Sequence, residues 1–442
     1  MVSESPSPAQ RPDPLAALRI PAVRAFAFGR IVSVFGAQML DVAVGWQLYE
    51  RTGSAFSLGL VGLVQVIPVV LLALPAGATA DRFDRRKIAM LAQTGLALCA
   101  CGLGLVSWLQ GPTWAIYALL FGTGLCGTFS RPASSSLLAQ IVPKAQFVNA
   151  NAWLSSGFQL GATAGPALGG LLIAATGSAT AVFAIDAVAA LVFALALASL
   201  PQLPKPRPGE QAAGPWLAGE SSKAPASADQ GLAAGVRFVF GNPVLLAPIS
   251  LDLFAVLLGG ATALLPIYAK DVLHVGPSGL GWLRSAPSIG AFCAALLQTR
   301  IGRFQHAGRV LLGCVTVYGL ATIGFGLSTW FPLSLLCLLL LGGFDNVSAV
   351  IRSTLEQVVT PDHLRGRVAS IHWVFIGLSN ELGDFESGLA AWLFGPVVAV
   401  VGGGVGTLLV VAAVLKLWPE VGRLGRLEDA AIRAPAAASG SN

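Results

Sequence analysis

Long apolar runs separated by short polar turns make up most of this chain. A helix needs about 20 mostly apolar residues to cross the hydrocarbon core of a bilayer, and twelve segments meet that requirement. These segments are 26–49, 57–80, 88–109, 113–137, 150–175, 179–200, 244–269, 277–299, 309–329, 331–355, 368–394 and 396–418. The pattern therefore predicts an all-α membrane protein with twelve transmembrane helices.

A polar stretch divides the spans into two sets of six. Residues 201–229 are rich in proline, alanine, glycine, serine and charge, a composition that cannot bury a core and that favours a flexible linker. We expect a short surface helix after it, in the segment GLAAGVRFVFGN that starts at Gly231. The expected organisation is a tail (1–25), a six-helix bundle (26–200), a linker with the surface helix (201–243), a second six-helix bundle (244–418) and a tail (419–442).

The two halves contain a short repeat. Residues 136–142 (SLLAQIV) match residues 353–359 (STLEQVV), and each copy follows a span and precedes the next. Two related sets of six spans predict bundles around a pseudo-two-fold axis along the membrane normal. A substrate site is then expected between the bundles, near the bilayer midplane.

The charges are few and unevenly placed. Charged residues make up 11% of the chain and hydrophobic residues 55%, whereas soluble domains carry about 25% charged residues. Cytoplasmic loops retain lysine and arginine, and this rule predicts that both termini lie in the cytoplasm. All but four of the 27 basic residues then belong to cytoplasmic tails, loops or the adjoining span ends; the four are Arg30, Arg51, Lys270 and Arg284. This asymmetry accounts for the net charge of +6 without nucleic-acid binding.

The segment GATADRFDRRK, residues 77–87, joins the second and third spans. Its charges exclude it from hydrocarbon and predict a short turn in water. The spacing G-x-x-x-D-R-x-x-R-R resembles the loop between the second and third helices of the major facilitator superfamily. That resemblance implies a latch on the cytoplasmic side, formed here by Gly77, Asp81, Arg82, Arg85 and Arg86.

In that superfamily the loop aspartate meets the eleventh helix, and an anion at Asp81 would favour a helix N-terminus. The expected target begins near residues 366–368. This chain departs from the family pattern in two places. Asp84 replaces the usual glycine or asparagine, and the fourth span lacks the acid that often pairs with Arg85. The alternative is a generic basic turn that follows the distribution of positive charge.

Span five contains glycines four apart and a proline: Gly161, Gly165, Pro166, Gly169 and Gly170. Such glycines form a smooth face for close helix contact, and the proline permits a bend. The pattern resembles the antiporter motif of drug:proton exporters in the same superfamily. The alternative is ordinary packing of small residues.

Carboxylates occur inside the predicted spans. Glu381 and Asp384 are three residues apart and share one face of span eleven. Two adjacent carboxylates in a low-dielectric site do not readily ionise together, so we expect one of them to hold a proton. Asp41 in span one is the next candidate for proton coupling, and a permanent structural ion pair is the alternative. The candidates for lining the substrate cavity are Gln38, Trp46, Arg131, Asp252, Asp345 and Asn380.

Four longer stretches resemble one branch of the superfamily, the bacterial drug:proton antiporter branch that includes the enterobactin exporter and macrolide efflux pumps. They are GWQLYERTGSAFSLGLVG, LPAGATADRFDRR, GPALGGLLIA and TPDHLRGRVASIHWVFIGLSNELGDFESGLAA. The resemblance implies proton-coupled export, by alternating access, of a bulky amphipathic small molecule such as a siderophore or a drug. The expected location is the bacterial inner membrane, the expected partners are the cargo, protons and lipid, and we expect a monomer.

Other function classes lack their motifs. The sequence has no Gly-x-x-x-x-Gly-Lys-Ser/Thr phosphate loop for ATP and no helix-borne H-E-x-x-H. Its six cysteines and four histidines are not spaced as metal ligands, so we expect no enzyme activity, no cofactor and no metal. An importer or facilitator of the same fold, and a non-transporting sensor that has kept this fold, remain the alternatives.

Overall fold

The computed structural model describes residues 13–201, 237–301, 304–361 and 364–425. Inside the helices, the side chains of residues 74, 81, 301, 365–367, 369–371, 373 and 374 are outside this description. Within the described ranges all regular structure is helical. Of the expected linker (201–229), only residue 201 is described. The expected surface helix starts at Gly231, and of its segment residues 237–241 are described and helical.

The described part of the chain contains twelve spans, as the sequence predicts. The first bundle consists of α1 (Pro21–Thr52), α2 (Ala55–Arg82), α3 (Arg85–Trp108), α4 (Thr113–Ile141), α5 (Phe147–Thr176) and α6 (Thr180–Ser199). The second consists of α7 (Pro243–Leu258), α8 (Gly276–Ile301), α9 (Ala307–Leu327), α10 (Phe331–Val359), α11 (Arg365–Phe394) and α12 (Pro396–Leu417). Ten spans are long and apolar enough to cross a bilayer by length and composition. The two others, α4 and α11, are as long but more polar.

Local sequence explains how several of these helices begin and end. Pro21 starts α1, where a missing N–H costs nothing, and Gly53 ends it in the left-handed region at φ 59°. Asp84 accepts hydrogen bonds from the backbone N–H groups of Arg86 and Lys87 at the start of α3. The unusual Asp84 of the second loop is therefore the N-cap of α3.

The halves match in length where their sequences repeat. Helices α4 and α10 each have 29 residues, and the helices that follow them, α5 and α11, each have 30. The repeated heptapeptides lie at the ends of α4 and α10. The second half therefore reproduces the order and the lengths of these two consecutive helices of the first half.

Span seven differs from the continuous helix expected over 244–269. Helix α7 ends at Leu258, and Gly259–Gly260 separates it from a 3-10 turn (Ala261–Leu264). A short α-turn (Leu265–Ile267) and a π-helical turn (Tyr268–Val272) complete the span. Adjacent glycines weaken a helix because they lose the most backbone entropy on ordering, so this pair was the signal for the break.

The two bundles share one hydrophobic core on a single side of the molecule. We call this the closed side; it carries the ends of α1, α3 and α5, and its core joins Leu48 and Phe183 of the first bundle to Leu264, Leu283 and Phe325 of the second. We call the opposite side the termini side. There the described residues form a separate core in each bundle.

Two helix pairs join the bundles. Helix α5 packs on α8, and α2 packs on α11. Both contacts depend on glycine: a methyl group on Gly170 would lie 2.9 Å from the α-carbon of Gly281, and one on Gly59 would lie 3.0 Å from the α-carbon of Gly388. These distances are below normal carbon–carbon contact, so only glycine permits this approach.

Candidate transport site between the bundles

A group of charged side chains lies where the bundles meet. Arg284 of α8 approaches Asp41 of α1, with 3.9 Å between Nη2 and Oδ2, and both side chains are partly accessible. Glu381 and Asp384 of α11 interact electrostatically with both Asp41 and Arg284. Arg131 of α4 interacts with Asp41 and Glu381. We call Asp41, Arg131, Arg284, Glu381 and Asp384 the central charge cluster, and it draws on both bundles.

The backbone of α2 fixes the position of the α11 carboxylates. A methyl group on Gly62 would lie 3.1 Å from the β-carbon of Asp384 and closer still to the carbonyl oxygen of Glu381. The two helices therefore touch along the turn that carries both acids. The sequence indicated the acids, but not the glycine of α2 that holds them there.

The break in span seven lies against the same turn of α11. A methyl group on Gly383 would lie 3.0 Å from the carbonyl oxygen of Val256 and 3.1 Å from that of Leu257. Discontinuous helices in transporters commonly border the substrate site, because their ends present polar backbone groups inside the membrane. The break is therefore a feature of the candidate site that the hydrophobic pattern of span seven did not indicate.

Asp252 and Asp345 belong to a different network inside the second bundle. Arg352 Nη2 lies 2.8 Å from Asp252 Oδ1 and 3.8 Å from Asp345 Oδ1, and Arg352 also donates to the Ser348 hydroxyl at 2.6 Å. A small cavity of about 10 Å³ adjoins them, which is room for about one water molecule. Asp252 and Arg352 are buried, whereas about half of the Asp345 side chain is accessible.

The basic loop has local partners within the first bundle. Arg86 donates from Nε to the carbonyl oxygen of Leu197 at 2.9 Å and also contacts that of Ala198, so it caps the end of α6. Arg85 is buried and donates to the carbonyl oxygen of Ala80 at 3.2 Å. The side chain of Asp81 is outside the described residues, as is most of its expected target near 366–368, so the latch stays a prediction.

The glycine motif of α5 forms two contacts. Methyl groups on Gly161 and Gly165 would lie 2.7 Å from Val34 Cγ1 and 2.8 Å from Gln38 Cβ, so these glycines face α1. Gly169 also faces α1, whereas the next residue, Gly170, faces α8 in the other bundle. One motif therefore packs α5 within its own bundle and against the second bundle at once.

The other cavity candidates occupy different surroundings. Gln38 is partly buried against α5, and Trp46 is buried in the closed-side core. Arg131 and Asn380 are exposed, and the Asn380 amide donates to the carbonyl oxygen of Ile376. A side-chain contact that the sequence did not indicate joins α10 and α11, where His372 Nδ1 lies 2.5 Å from Glu356 Oε2.

Two six-helix bundles related by pseudo-symmetry, with partly accessible charged side chains where they meet, are the architecture of a class of membrane transporters. The sequence profile of the Major Facilitator Superfamily matches residues 26–383. The chain belongs to that superfamily and is a multi-pass membrane transporter rather than an enzyme.

Similar proteins were found by sequence and by structure. The chain is 27% identical over 409 residues to the enterobactin exporter EntS of Shigella flexneri, covering 91% of this chain and 93% of that protein. The EntS protein of Escherichia coli O1:K1 is 26% identical, with the same coverage.

Among solved structures, a bacterial homologue of the human lysosomal transporter Spinster, inward-facing and unoccupied, has a TM-score of 0.69 at 14% identity, covering 94% of this chain and 98% of that one. The nucleoside transporter NupG has a TM-score of 0.67 at 12% identity, covering 90% of this chain and 99% of that one. At these identities the structural likeness establishes the fold.

Proposed function

We propose that this protein is a proton-coupled exporter, an antiporter that moves a bulky amphipathic small molecule such as a siderophore or a drug out of the cell by alternating access. The name of the relatives, enterobactin exporter, supports outward transport and the class of cargo. In this proposal the termini side is cytoplasmic and the protein acts as a monomer in the inner membrane. The separate cores on the termini side then correspond to a state open to the cytoplasm.

The observation that carries the proposal is the composition of the central charge cluster. It contains three carboxylates, Asp41, Glu381 and Asp384, and two guanidinium groups, Arg131 and Arg284. With every group ionised the cluster has one excess negative charge, which is costly away from bulk water. One bound proton removes that excess, so the cluster is suited to hold and release a proton.

Alternating access can couple that proton to cargo. The cluster draws on α1, α4, α8 and α11, so a change between access states moves its members relative to one another. If cargo and proton compete for this space, the protein changes state with one or the other bound. Inward proton movement then drives cargo outward.

The basic loop contributes the second part of the proposal. We place Asp81 at the start of α11 when the termini side is closed, where a helix N-terminus attracts its carboxylate. Gly77, Arg82 and Arg85 complete this latch, and Arg86 holds the loop to α6 through its hydrogen bond to Leu197. In this proposal the predicted linker (201–229), which lies almost wholly outside the described residues, is cytoplasmic as well.

Transport into inverted membrane vesicles tests the function. A panel of siderophores and cationic or neutral drugs is assayed with an imposed proton gradient, with and without an uncoupler. We expect Glu381→Gln, a neutral mimic of the protonated acid, to abolish proton-driven uptake into the vesicles and to preserve cargo binding. Glu386→Gln is the matched control, because Glu386 lies on the same helix and its described partner is the adjacent Ser387.

The outcomes separate the parts of the proposal. Uptake into inverted vesicles that persists with the uncoupler present would refute proton coupling. Cargo accumulation in right-side-out vesicles under the same gradient would favour an importer over an exporter. If Glu381→Gln and wild type release the same number of protons on cargo binding and export equally well, the coupling site lies elsewhere, and Asp41 is the next candidate.

A further inference from the structure

A polar contact on the closed side joins the ends of α1 and span seven. The Tyr49 hydroxyl donates to the Asp271 carboxylate, a contact between the two bundles. The ammonium group of Lys270 lies 5.6 Å from the centre of the Tyr49 ring, within the range of a cation–π interaction. Together these side chains form a polar link next to the shared apolar core.

Each half of this contact is fixed to its own bundle. On the α1 side, Arg51 donates to the carbonyl oxygen of Gly111 at 2.8 Å and to those of Val106 and Ser107. Because Arg51 lies two residues after Tyr49, the end of α1 is held to the end of α3. A movement of the first bundle therefore carries Tyr49 with it.

The span-seven half is held to the second bundle. Asp271 belongs to the π-helical turn, and the first residue of that turn, Tyr268, donates to the carbonyl oxygen of Gly326 at 2.9 Å. The Tyr268 ring also packs on Phe325, with 4.5 Å between ring centres. Single π-helical turns are rare and occur frequently at functional sites.

The contact can also break readily. Asp271 is exposed, and a cavity of about 370 Å³ on the closed side is lined by Tyr49, Asp271, Ala55 and Trp392. Water therefore reaches the carboxylate and can replace the tyrosine hydroxyl when the bundles separate. A fully buried bond would be much harder to open, because its groups would lose hydrogen bonding without compensation.

We propose that Tyr49 and Asp271, supported by Lys270, form a reversible latch that holds the closed side shut and must open in each transport cycle. The latch acts on the access change itself, so it depends on neither the cargo nor the driving ion. A hydrogen bond to a charged group contributes enough to shift a two-state equilibrium roughly tenfold or more. Removing the hydroxyl should therefore enrich the state that is open on the closed side.

Hydrogen–deuterium exchange of the purified full-length protein in lipid nanodiscs tests the Tyr49–Asp271 latch without any cargo. In Tyr49→Phe we expect roughly tenfold faster exchange in the closed-side segments 44–56 and 264–275. We also expect slower exchange on the termini side, in segments 147–160 and 287–300, because alternating access closes one side as the other opens. Asp271→Ala, which removes the acceptor, should have the same effect.

The control is Tyr117→Phe. It also removes one tyrosine hydroxyl, which donates to the carbonyl oxygen of Ser57 at 2.9 Å, within the first bundle. This variant should leave the balance between the two sides unchanged. The Tyr49–Asp271 latch would be overturned if Tyr49→Phe left exchange unchanged. It would also be overturned if exchange became faster on the closed side with no added protection on the termini side. Because the measurement needs neither transport nor a proton gradient, its failure would leave the proposed export function untouched.

Discussion

The ion pair between Arg352 and Asp252 is expected to stabilise the second bundle rather than to take part in transport. Its atoms are 2.8 Å apart, and the two side chains are 6% and 9% exposed. Replacing Arg352 with leucine would leave the Asp252 carboxylate inside the bundle without its guanidinium partner. The double variant, with leucine at both positions, removes the charge of both residues together.

The expected magnitudes differ clearly between these variants. Removing one partner of a buried pair costs about 3–5 kcal/mol, whereas replacing both by apolar residues of similar volume is often neutral or stabilising. For a unit the size of one bundle, about 1 kcal/mol shifts the melting temperature by roughly 2–4 °C. Arg352→Leu should therefore lower the melting temperature by about 10 °C, and Asp252→Leu/Arg352→Leu should recover most of that loss.

Thermal unfolding of the purified protein in detergent, followed by tryptophan fluorescence, measures these shifts. Transport at a temperature well below every midpoint then asks whether the double variant still works. A double variant no more stable than Arg352→Leu would refute the electrostatic reasoning. A stable double variant that has lost transport would return Asp252 to the substrate cavity, where the sequence analysis placed it.

Two other changes test contacts of the first bundle. Gly170→Ala should reduce transport and loosen the closed side, because its methyl group would meet the backbone of α8. Faster hydrogen exchange in α5 and α8 would report the loosening. Gly313→Ala, with open space around it, should change neither property. Arg86→Gln should lower thermal stability by about 1–2 kcal/mol, because it loses charge-assisted hydrogen bonds to the end of α6. Lys87→Gln, which removes the same charge from the neighbouring exposed residue, should have little effect.

The spans could be predicted because the insertion of a helix into a membrane depends on its own local sequence. Each one is a run of apolar residues, and its length follows from the thickness of the bilayer. The glycine motif of α5 was predictable for a similar reason, since a helix contact this close needs small residues at fixed spacing. Which helix each glycine touches was not predictable, and Gly169 and Gly170 illustrate this, because neighbours in sequence face different bundles.

Which arginine each carboxylate meets could not be predicted, because the pairing depends on contacts between distant parts of the chain. Asp41 and Asp252 are each the single acid of their predicted spans, 26–49 and 244–269. Asp252 pairs closely with Arg352 inside one bundle, whereas Asp41 meets Arg284 across two bundles at a longer distance. The first arrangement is that of a permanent structural pair, and the second leaves its groups partly accessible and able to exchange partners.

In the proposed function, helix α11 is the physical link between protonation and access. Its contact with α2 includes Gly59 against Gly388 and, one turn further along, Gly62 against the turn that carries Glu381 and Asp384. When the bundles separate on the closed side, this turn of α11 must therefore move away from the backbone of α2 that packs on it. The surroundings of both carboxylates then change in the same movement. A proton bound as we propose would then meet a different electrostatic environment in each state, which is the differential interaction that any coupled transporter requires.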